Sequence, residues 1–530
     1  MPDPAQTAVF PPDAPAPVTL VLLCRDLERT TPGLKLAEVA PGLARRWADV
    51  QVRLAEGLCH RLGMLPDAVR QARAQRLVLG LCSGHALAPE AQAQVRKAGL
   101  DPLGAQVVDL RSACGGATVT PGAGERLGVI LAAAIARAMA FPGSGPDNVK
   151  AKLVSLRQTM SRRALFTLPP VTYEAVPTIA RDHCTAAEGC ALCVDACPYE
   201  ALGREGGALR VDRDRCRSCG VCVAVCPQRA VAFPGWSAAE LEAQVAALLD
   251  TEADPPARAL LFLCKEAPLP AGAWLPVRVP CTAMVPVAAM LQPLAGGATA
   301  VALAPCRARC PADRDAGVRG RVDYCQHLLR LLGDAPERVQ VLDAENSGVP
   351  PVAAGIPAGG LPAPRAPALL FGRGAAADAV AALAARSAVQ GCVLEHPFSP
   401  VGTVQIDAQV CSGCCSCAVG CPTGALARQR EGDEVTLTLD ARWCSACGQC
   451  VTVCPEAEAG ALRVDRVTDV ARLRQGRVTI SQEREARCEA CGAPIAPLRT
   501  LNRIAALLGS EDASLASWIG RYCLSCRGSR

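Results

Sequence analysis

Cysteines carry most of the chemistry available to this sequence, and their spacing is regular. One pattern occurs four times, in two pairs, and each copy ends in Cys-Pro. Two residues separate neighbouring cysteines at the start of each copy, except that five residues separate Cys184 from Cys190. Three thiolates at this spacing bind one 4Fe–4S cube, and the cysteine before proline ligates the neighbouring cube. The pattern therefore predicts four 4Fe–4S clusters.

This crossed ligation assigns sixteen cysteines to four ligand sets. The sets are Cys184, Cys190, Cys193 and Cys226; Cys216, Cys219, Cys222 and Cys197; Cys411, Cys414, Cys417 and Cys454; and Cys444, Cys447, Cys450 and Cys421. Structural zinc is the alternative, but zinc sites use separated cysteine pairs and need no fourth cysteine before proline. Cys415 lies between two ligands and is a spare or alternative ligand. Both stretches resemble bacterial two-cluster ferredoxins.

Composition limits the class of protein. A chain of 530 residues holds roughly three to four domains. The 31 cysteines do not indicate a disulfide scaffold, because no signal peptide opens the chain, so we expect a reducing cytoplasm. No apolar run reaches the roughly 18 residues of a membrane span, so we expect no direct membrane insertion. A net charge of +5 without a basic block, and 3% aromatic residues, argue against nucleic-acid binding.

The region from residue 18 to 141 has the pattern of a parallel α/β domain. Predicted strands lie at 18–23, 50–54, 76–81 and 106–110, and predicted helices at 34–46, 65–74, 88–98 and 122–140. A cysteine follows each strand, namely Cys24, Cys59, Cys82 and Cys114. Since ligands gather at the carboxyl ends of parallel strands, we expect the four thiols to lie at one edge. Buried, unligated thiols are the alternative.

This region also resembles a known family. The segments Leu58-Cys59, Arg76-Leu-Val-Leu-Gly-Leu-Cys82-Ser83 and Lys97-Ala-Gly-Leu-Asp-Pro102 are similar to the N-terminal region of the flavin-containing A subunit of heterodisulfide reductases. The resemblance implies a further 4Fe–4S cluster held by Cys24, Cys59, Cys82 and Cys114. The flavin domain of that family is absent, so any flavin would belong to another chain.

A second α/β pattern occupies about residues 256 to 344. We expect strands at 258–263, 276–280 and 299–304, again followed by cysteines. Phe262-Leu-Cys264, Pro280-Cys281-Thr282, Gly296-Gly-Ala-Thr-Ala-Val-Ala and Pro305-Cys306-Arg-Ala-Arg-Cys310 resemble the iron–sulfur delta subunit of methyl-viologen-reducing hydrogenases. That resemblance implies a 2Fe–2S cluster, or a further 4Fe–4S cluster, on Cys264, Cys281, Cys306 and Cys310. Ala267 and Pro311 replace a Cys and a His of the family, so a degenerate docking domain is the alternative.

Linkers separate these units. A basic helix is predicted from about Asp147 to Leu165, within a helical connector at 142–180. A Pro/Ala/Gly linker at 345–402 contains a small unit with a strand from Ala368, a glycine turn and a helix. Its Gly372-x-Gly374 is similar to part of a dinucleotide fingerprint, but a turn before a helix is favoured. Cys325 and Cys392 are expected to be ordinary core residues.

The last section carries two separated Cys-x2-Cys knuckles. Cys488, Cys491, Cys523 and Cys526 have the spacing of a zinc ribbon, with a predicted helix at 498–508 and the stretch 515–522 between the knuckles. Structural zinc is favoured over rubredoxin-like iron because the site looks closed. We expect this region to dock a partner.

The predicted fold class is a multidomain α/β and α+β chain with two parallel-sheet domains, two two-cluster ferredoxin-like modules and a zinc-ribbon-like knuckle. The predicted boundaries are a disordered tail at 1–17, α/β at 18–141, the connector at 142–180, a ferredoxin module at 181–235, a helical linker at 236–255, α/β at 256–344, the linker at 345–402, the second module at 403–466 and the zinc region at 467–530.

No Ser–His–acid set, Walker loop or HExxH helix occurs, and the five histidines are scattered. The favoured function is a non-catalytic electron-transfer subunit, without nucleic-acid contacts. From the resemblances, electrons would pass between a low-potential dehydrogenase of the hydrogenase or formate dehydrogenase type and a flavin or disulfide reductase. The alternatives are an oxidoreductase with its own substrate at an open cluster position and a cluster-containing assembly factor.

Overall fold

The computed structural model describes residues 17–31, 33–114, 122–153, 171–250, 258–265, 267, 269, 274–306, 315–342, 370–389, 391–508 and 513–527. These residues form a mixed α/β fold with parallel and antiparallel sheets. No helix in these ranges has the length and apolar character needed to cross a membrane.

The N-terminal region is a four-stranded parallel sheet in the order β2-β1-β3-β4. Its strands are β1 (Val18–Cys24), β2 (Val50–Ala55), β3 (Ala74–Leu81) and β4 (Gln106–Asp109). Its helices are α1 (Leu27–Thr30), α2 (Leu36–Arg46), α3 (Leu65–Ala72), α4 (Gly84–Lys97), α5 (Leu110–Ala113) and α6 (Ala123–Met139). β1 is buried on both faces, which explains its continuous apolar sequence. The predicted strands and main helices are confirmed here.

The connector differs from the prediction over its described part. Residues 149–153 form β5 (Val149–Leu153), which pairs antiparallel with β6 (Val171–Ala175). The predicted helix from Asp147 to Leu165 is therefore wrong in this part, and residues 154–170 lie outside the described residues. Apolar and lysine residues alternate in β5 with the period of a strand, and Lys150 and Lys152 both pair with Glu174 of β6 at 3.6 Å.

The first cysteine-rich module is small and built around two short helices. Its elements are β7 (Thr178–Ile179), α7 (Leu192–Asp195), β8 (Leu202–Glu205), β9 (Ala208–Val211), α8 (Val221–Val225) and β10 (Val231–Ala232). β7 pairs with β10, and β8 pairs with β9 as a hairpin. The predicted helix α9 (Ala238–Leu249) follows and begins with a capping box between Ser237 and Glu240.

The second parallel sheet repeats the topology of the first, in the order β12-β11-β13-β14. Its strands are β11 (Ala259–Cys264), β12 (Leu275–Val279), β13 (Ala300–Ala304) and β14 (Val339–Val341), and its helices are α10 (Val287–Ala295) and α11 (Asp315–Leu331). Beyond it, α12 (Ala375–Ala384) confirms the predicted helix. The strand predicted before it is absent at Leu370 and Phe371, which form a bend, because the amide of Leu370 donates to the Glu242 carboxylate.

The second cysteine-rich module has the same plan as the first. It contains β15 (Val393–Glu395), β16 (Thr403–Ile406), α13 (Ser416–Val419), β17 (Leu426–Glu431), β18 (Glu434–Asp440), α14 (Gln449–Thr452), β19 (Leu462–Asp465), β20 (Val467–Asp469) and α15 (Val470–Gln475). β16 pairs with β19 at its base, and β17 and β18 form the hairpin, as β7, β10, β8 and β9 do in the first module.

The C-terminal region is built onto this second hairpin. It comprises β21 (Arg477–Arg487), β22 (Pro494–Pro497), α16 (Leu498–Leu508), α17 (Ala513–Arg521) and α18 (Leu524–Arg527). β21 pairs with β18 and extends the sheet to the order β17-β18-β21-β22. The buried carboxylate of Glu485 on β21 forms ion pairs with Arg428 at 2.6 Å and with Arg430 at 2.7 Å. The C-terminal region is thus continuous with the second module.

Candidate metal centres

The first module encloses a small apolar cavity around four thiols. Its walls include Cys184, Cys190, Cys193 and Cys226, which form the first predicted ligand set. Leu192, Leu209 and Val231 close the cavity. Such walls exclude water from a bound cluster, which changes its reduction potential.

The second predicted set of this module lies beside the first. The thiol of Cys222 has Cys219, Cys216 and Cys197 among its electrostatic neighbours, and the amide of Ala201 donates to the sulfur of Cys197 at 3.3 Å. Burial raises the pKa of Cys222, and it raises the pKa of Cys193 to about 12. The protein alone therefore disfavours thiolates here, so a bound metal would have to supply the positive charge that ionises these cysteines.

The second module repeats this arrangement with a more polar environment. One cavity is lined by Cys411, Cys414, Cys417 and Cys454. Burial opposes ionisation of Cys414, but hydrogen bonds from Ser416 and Ser412 outweigh it and lower the pKa of this thiol. Cys415 lines the same cavity, and its thiol donates to the carbonyl of Gly413 at 3.5 Å.

The remaining set gathers around Cys450. Its electrostatic neighbours are Cys444, Cys421 and Cys447, and burial raises the pKa of Cys450 to about 12. The sulfur of Cys421 lies 3.6 Å from the hydroxyl of Thr423 and accepts from the amide of Leu426 at 3.5 Å. Each of the four predicted sets is therefore brought together.

The N-terminal sheet edge brings three of its four predicted thiols together. The sulfur atoms of Cys24, Cys59 and Cys82 lie within 4.8 Å of one another, and the amide of Cys82 donates to Cys59 at 3.1 Å. Cys114 is not in this group, because α5 carries the chain beyond the end of β4 before this residue. Cys114 packs with the core cluster on the α6 side of the sheet, whereas Cys24 packs on the opposite face.

The second parallel sheet also places cysteines after neighbouring strands. Cys264 ends β11, and Cys281 and Cys306 follow β12 and β13. The thiol of Cys264 donates to the carbonyl of Pro280 at 3.5 Å. Cys310 lies outside the described residues. Cys325 is fully buried on α11, as expected of a core residue, and Cys392 is half-buried.

The C-terminal knuckles form a tight four-thiol group. Cys488, Cys491, Cys523 and Cys526 have all their sulfur atoms within 4.8 Å of one another. This is the compact arrangement that a single tetrahedral ion needs, since zinc–sulfur bonds are about 2.3 Å long. Within the described residues, none of the four predicted 4Fe–4S ligand sets has all its sulfur atoms within 4.8 Å of one another. That contrast fits cubes, in which iron and sulfide atoms occupy the space between the thiolates.

One group was missed by sequence reasoning, which treated the histidines as scattered. His396 contacts the carboxylate of Asp323 at 3.0 Å, and His327 lies one helical turn from Asp323 on α11. Next to them, Tyr324, Thr468 and Ser399 form a buried chain of hydroxyl groups at 2.7 and 2.9 Å. The residues come from distant parts of the sequence, so no local spacing reveals either group.

Comparison with known proteins gives two matches. Residues 177–230 match the family described as a 4Fe–4S dicluster domain. Residues 264–356 match the family described as methyl-viologen-reducing hydrogenase, delta subunit. A search of curated proteins finds no match. The chain therefore carries a 4Fe–4S dicluster domain and a hydrogenase delta-subunit domain, the parts of an iron–sulfur electron-transfer subunit.

Proposed function

We propose that this chain conducts electrons through four 4Fe–4S clusters held by the two modules. A single observation supports this proposal best. The side-chain amide of Gln228 donates to the carbonyl of Pro422, so that the loops carrying Cys226 and Cys421 touch. Each of these cysteines is the residue before proline that closes one predicted set. The clusters assigned to the two sets are therefore neighbours across the boundary between the modules.

With this contact, the four proposed clusters would form one route. The set around Cys222 is the outermost on one side, followed by the set around Cys193, the set around Cys450 and the set around Cys417. At the first end, α8 packs on the delta-subunit domain, where Gly220 lies against the side chain of Met284. At the other end, the C-terminal region covers the Cys417 set, since Thr500 donates to the carbonyl of Ser412 at 2.8 Å.

The ends of the route indicate the partners. We propose that a low-potential dehydrogenase of the hydrogenase or formate dehydrogenase type docks at the delta-subunit domain. A flavin or disulfide reductase would then exchange electrons at the C-terminal end. The same proposal assigns structural zinc to Cys488, Cys491, Cys523 and Cys526, which would stiffen that docking surface.

Two further clusters belong to the proposal. Cys264, Cys281, Cys306 and Cys310 would hold a 2Fe–2S or 4Fe–4S cluster at the delta-subunit end. Cys24, Cys59 and Cys82 would supply three ligands of a 4Fe–4S cluster at the N-terminal edge, and the position of Cys114 leaves the fourth to another group.

Metal analysis of protein purified without oxygen tests this proposal. Four loaded cubes require about 16 iron and 16 sulfide per chain, and one zinc is expected beside them. Loading of one or both further sites raises the iron to about 18 to 24 per chain. Electron paramagnetic resonance of the dithionite-reduced protein should show interacting 4Fe–4S spins. Iron near or below about 8 per chain, or clusters that dithionite does not reduce, would refute a four-cluster route.

A further inference from the structure

A large cleft opens where the two modules, the delta-subunit domain and α12 meet. Its volume is about 520 Å³ and its mouth is open to solvent. Pro227 of the first module, Arg321 of α11, Gly374 before α12 and Trp443 of the second module all line it. Binding sites for small molecules and cofactors are usually clefts of roughly 300 to 1,000 Å³ at such junctions between domains.

The wall of this cleft is positively charged. Four guanidinium groups line it, those of Arg321, Arg373, Arg442 and Arg466, against one carboxylate, that of Asp195. Arg442 is paired with Asp440 at 2.9 Å. The other three each donate to a backbone carbonyl and have no ion pair within the described residues. The cleft is therefore suited to an anion.

Two polar atoms in the wall have no hydrogen-bond partner among the residues that the structure describes. They are the buried Nε of Arg321 and the buried Oγ of Ser445. Buried donors without a partner are unfavourable and uncommon in folded proteins. Both are N–H or O–H groups, so a ligand with acceptor oxygens would satisfy them.

The start of α12 adds a third feature. The helix runs for 10 residues from Ala375, and its N-cap is Gly374, so no side chain caps its first amides. Gly372 and Gly374 have φ of 103° and 82°, and a Cβ at Gly372 would lie 2.3 Å from the side chain of Arg229. The amide of Ala375 donates to the Gly372 carbonyl, and Asp378 is an acidic residue of the first turn, so a phosphate would have to bind at the amides of Ala376 and Ala377. There the positive end of the helix dipole favours an anion.

We propose that this cleft binds a nucleotide, with its phosphate at the start of α12 and among the arginine side chains. Phosphate is the anion that both the guanidinium fork and the uncapped helix recognise, and the volume admits a base or flavin ring as well. The site goes beyond electron transfer and is independent of the cluster assignments. The cleft borders the loops of Cys226 and Cys444, which belong to two of the proposed ligand sets.

Calorimetric titration of the full chain without oxygen tests this site. The probes are ADP, FMN, inorganic phosphate and pyrophosphate. We expect at least one of the two nucleotides to bind more tightly than either inorganic anion. Ala376→Asp places a carboxylate in the first turn of α12, which suits the helix but repels phosphate, and should weaken nucleotide binding roughly tenfold to a hundredfold. Arg373→Met should weaken it in the same range.

The matched control is Ala239→Asp, the same substitution at the same position of α9, which does not line the cleft. It should leave nucleotide binding unchanged. Iron content and far-ultraviolet circular dichroism identify any variant that fails to fold. The proposal is overturned if neither nucleotide binds, or if both cleft variants bind as the parent chain does. Equal affinity for pyrophosphate and both nucleotides would also overturn it, because the site would then recognise only an anion.

Discussion

The two cysteine-rich modules share one plan but surround their thiols differently. In both, a short helix begins just before the third cysteine of each copy. The residue that precedes this cysteine is Leu192 or Val221 in the first module and Ser416 or Gln449 in the second. The cysteine pattern thus predicts the ligands, whereas the intervening residues determine the polarity around the thiols. Hydrogen bonds to cluster sulfurs raise the reduction potential, so we expect the second module to accept electrons from the first.

The modules also differ in how they attach to the delta-subunit domain. The first makes an apolar contact between Gly220 and Met284. The second is joined through the buried hydroxyl groups of Tyr324, Thr468 and Ser399. An apolar contact tolerates changes in position better than a buried polar chain, in which every member needs a partner. We therefore expect the second module to be positioned more strictly than the first.

The largest expected effect comes from removing a ligand from the second module. Cys417→Ser should lower the iron content by about four per chain, because a cube needs all its thiolates. Iron and sulfide analysis with spin-integrated electron paramagnetic resonance measures this loss. Cys415→Ser is the control, since the Cys415 thiol donates to the Gly413 carbonyl and is unassigned. If only the Cys415→Ser variant loses iron, Cys415 is a ligand of this cluster and Cys417 is not.

A second contrast concerns the C-terminal region, which covers part of the second module. Arg503 binds the carboxylate of Glu456 at 2.8 and 3.0 Å, close to Cys454, and Thr500 holds the Ser412 loop. Cys523→Ser should release the proposed zinc ion and loosen this cover without lowering the iron content of fresh protein. Oxygen should then bleach the visible absorbance of the clusters several-fold faster.

The control for that experiment is Cys325→Ala, which removes a buried thiol from α11. The rate at which oxygen bleaches its clusters is measured in the same way. That variant should keep its zinc. If Cys523→Ser loses iron rather than zinc, the knuckles hold iron and the zinc assignment fails.

The attachment of the second module predicts a graded loss of stability. Thr468→Val leaves the buried Tyr324 hydroxyl without its partner at 2.7 Å and should cost about 1–3 kcal/mol of unfolding free energy. Tyr324→Phe leaves Thr468 bonded to Ser399 at 2.9 Å and should cost about 0.5–1.5 kcal/mol. Anaerobic urea unfolding measures both. An equal or reversed order would show that the hydroxyl chain does not hold the module.

Local pattern predicted most of this fold, and the misses have physical causes. The parallel sheets, α9 and α16 follow from apolar runs, caps and breakers that lie within a few residues. The helix predicted in the connector was wrong because β6, the partner of β5, begins only after 17 intervening residues. Without that pairing, the lysines of β5 do not indicate a strand. At the N-terminal edge, period-two alternation and the extra turn of α5 put Cys114 on the other face from Cys24. The hydroxyl chain is built from distant segments and leaves no local signal. Of the cleft, only the Gly372-x-Gly374 turn has one.

The smallest predicted effect tests the polarity contrast directly. Ser416→Ala removes the hydroxyl that lies 3.3 Å from the sulfur of Cys414 and should lower the potential of that cluster by roughly 20–60 mV. Leu192→Ser makes the reverse change at the equivalent position of the first module and should raise its potential. Redox titration followed by electron paramagnetic resonance resolves both shifts. Because each variant keeps all the ligands, iron content should stay constant. If both potentials move in the same direction, or neither moves, hydroxyl contacts do not set the difference between the modules.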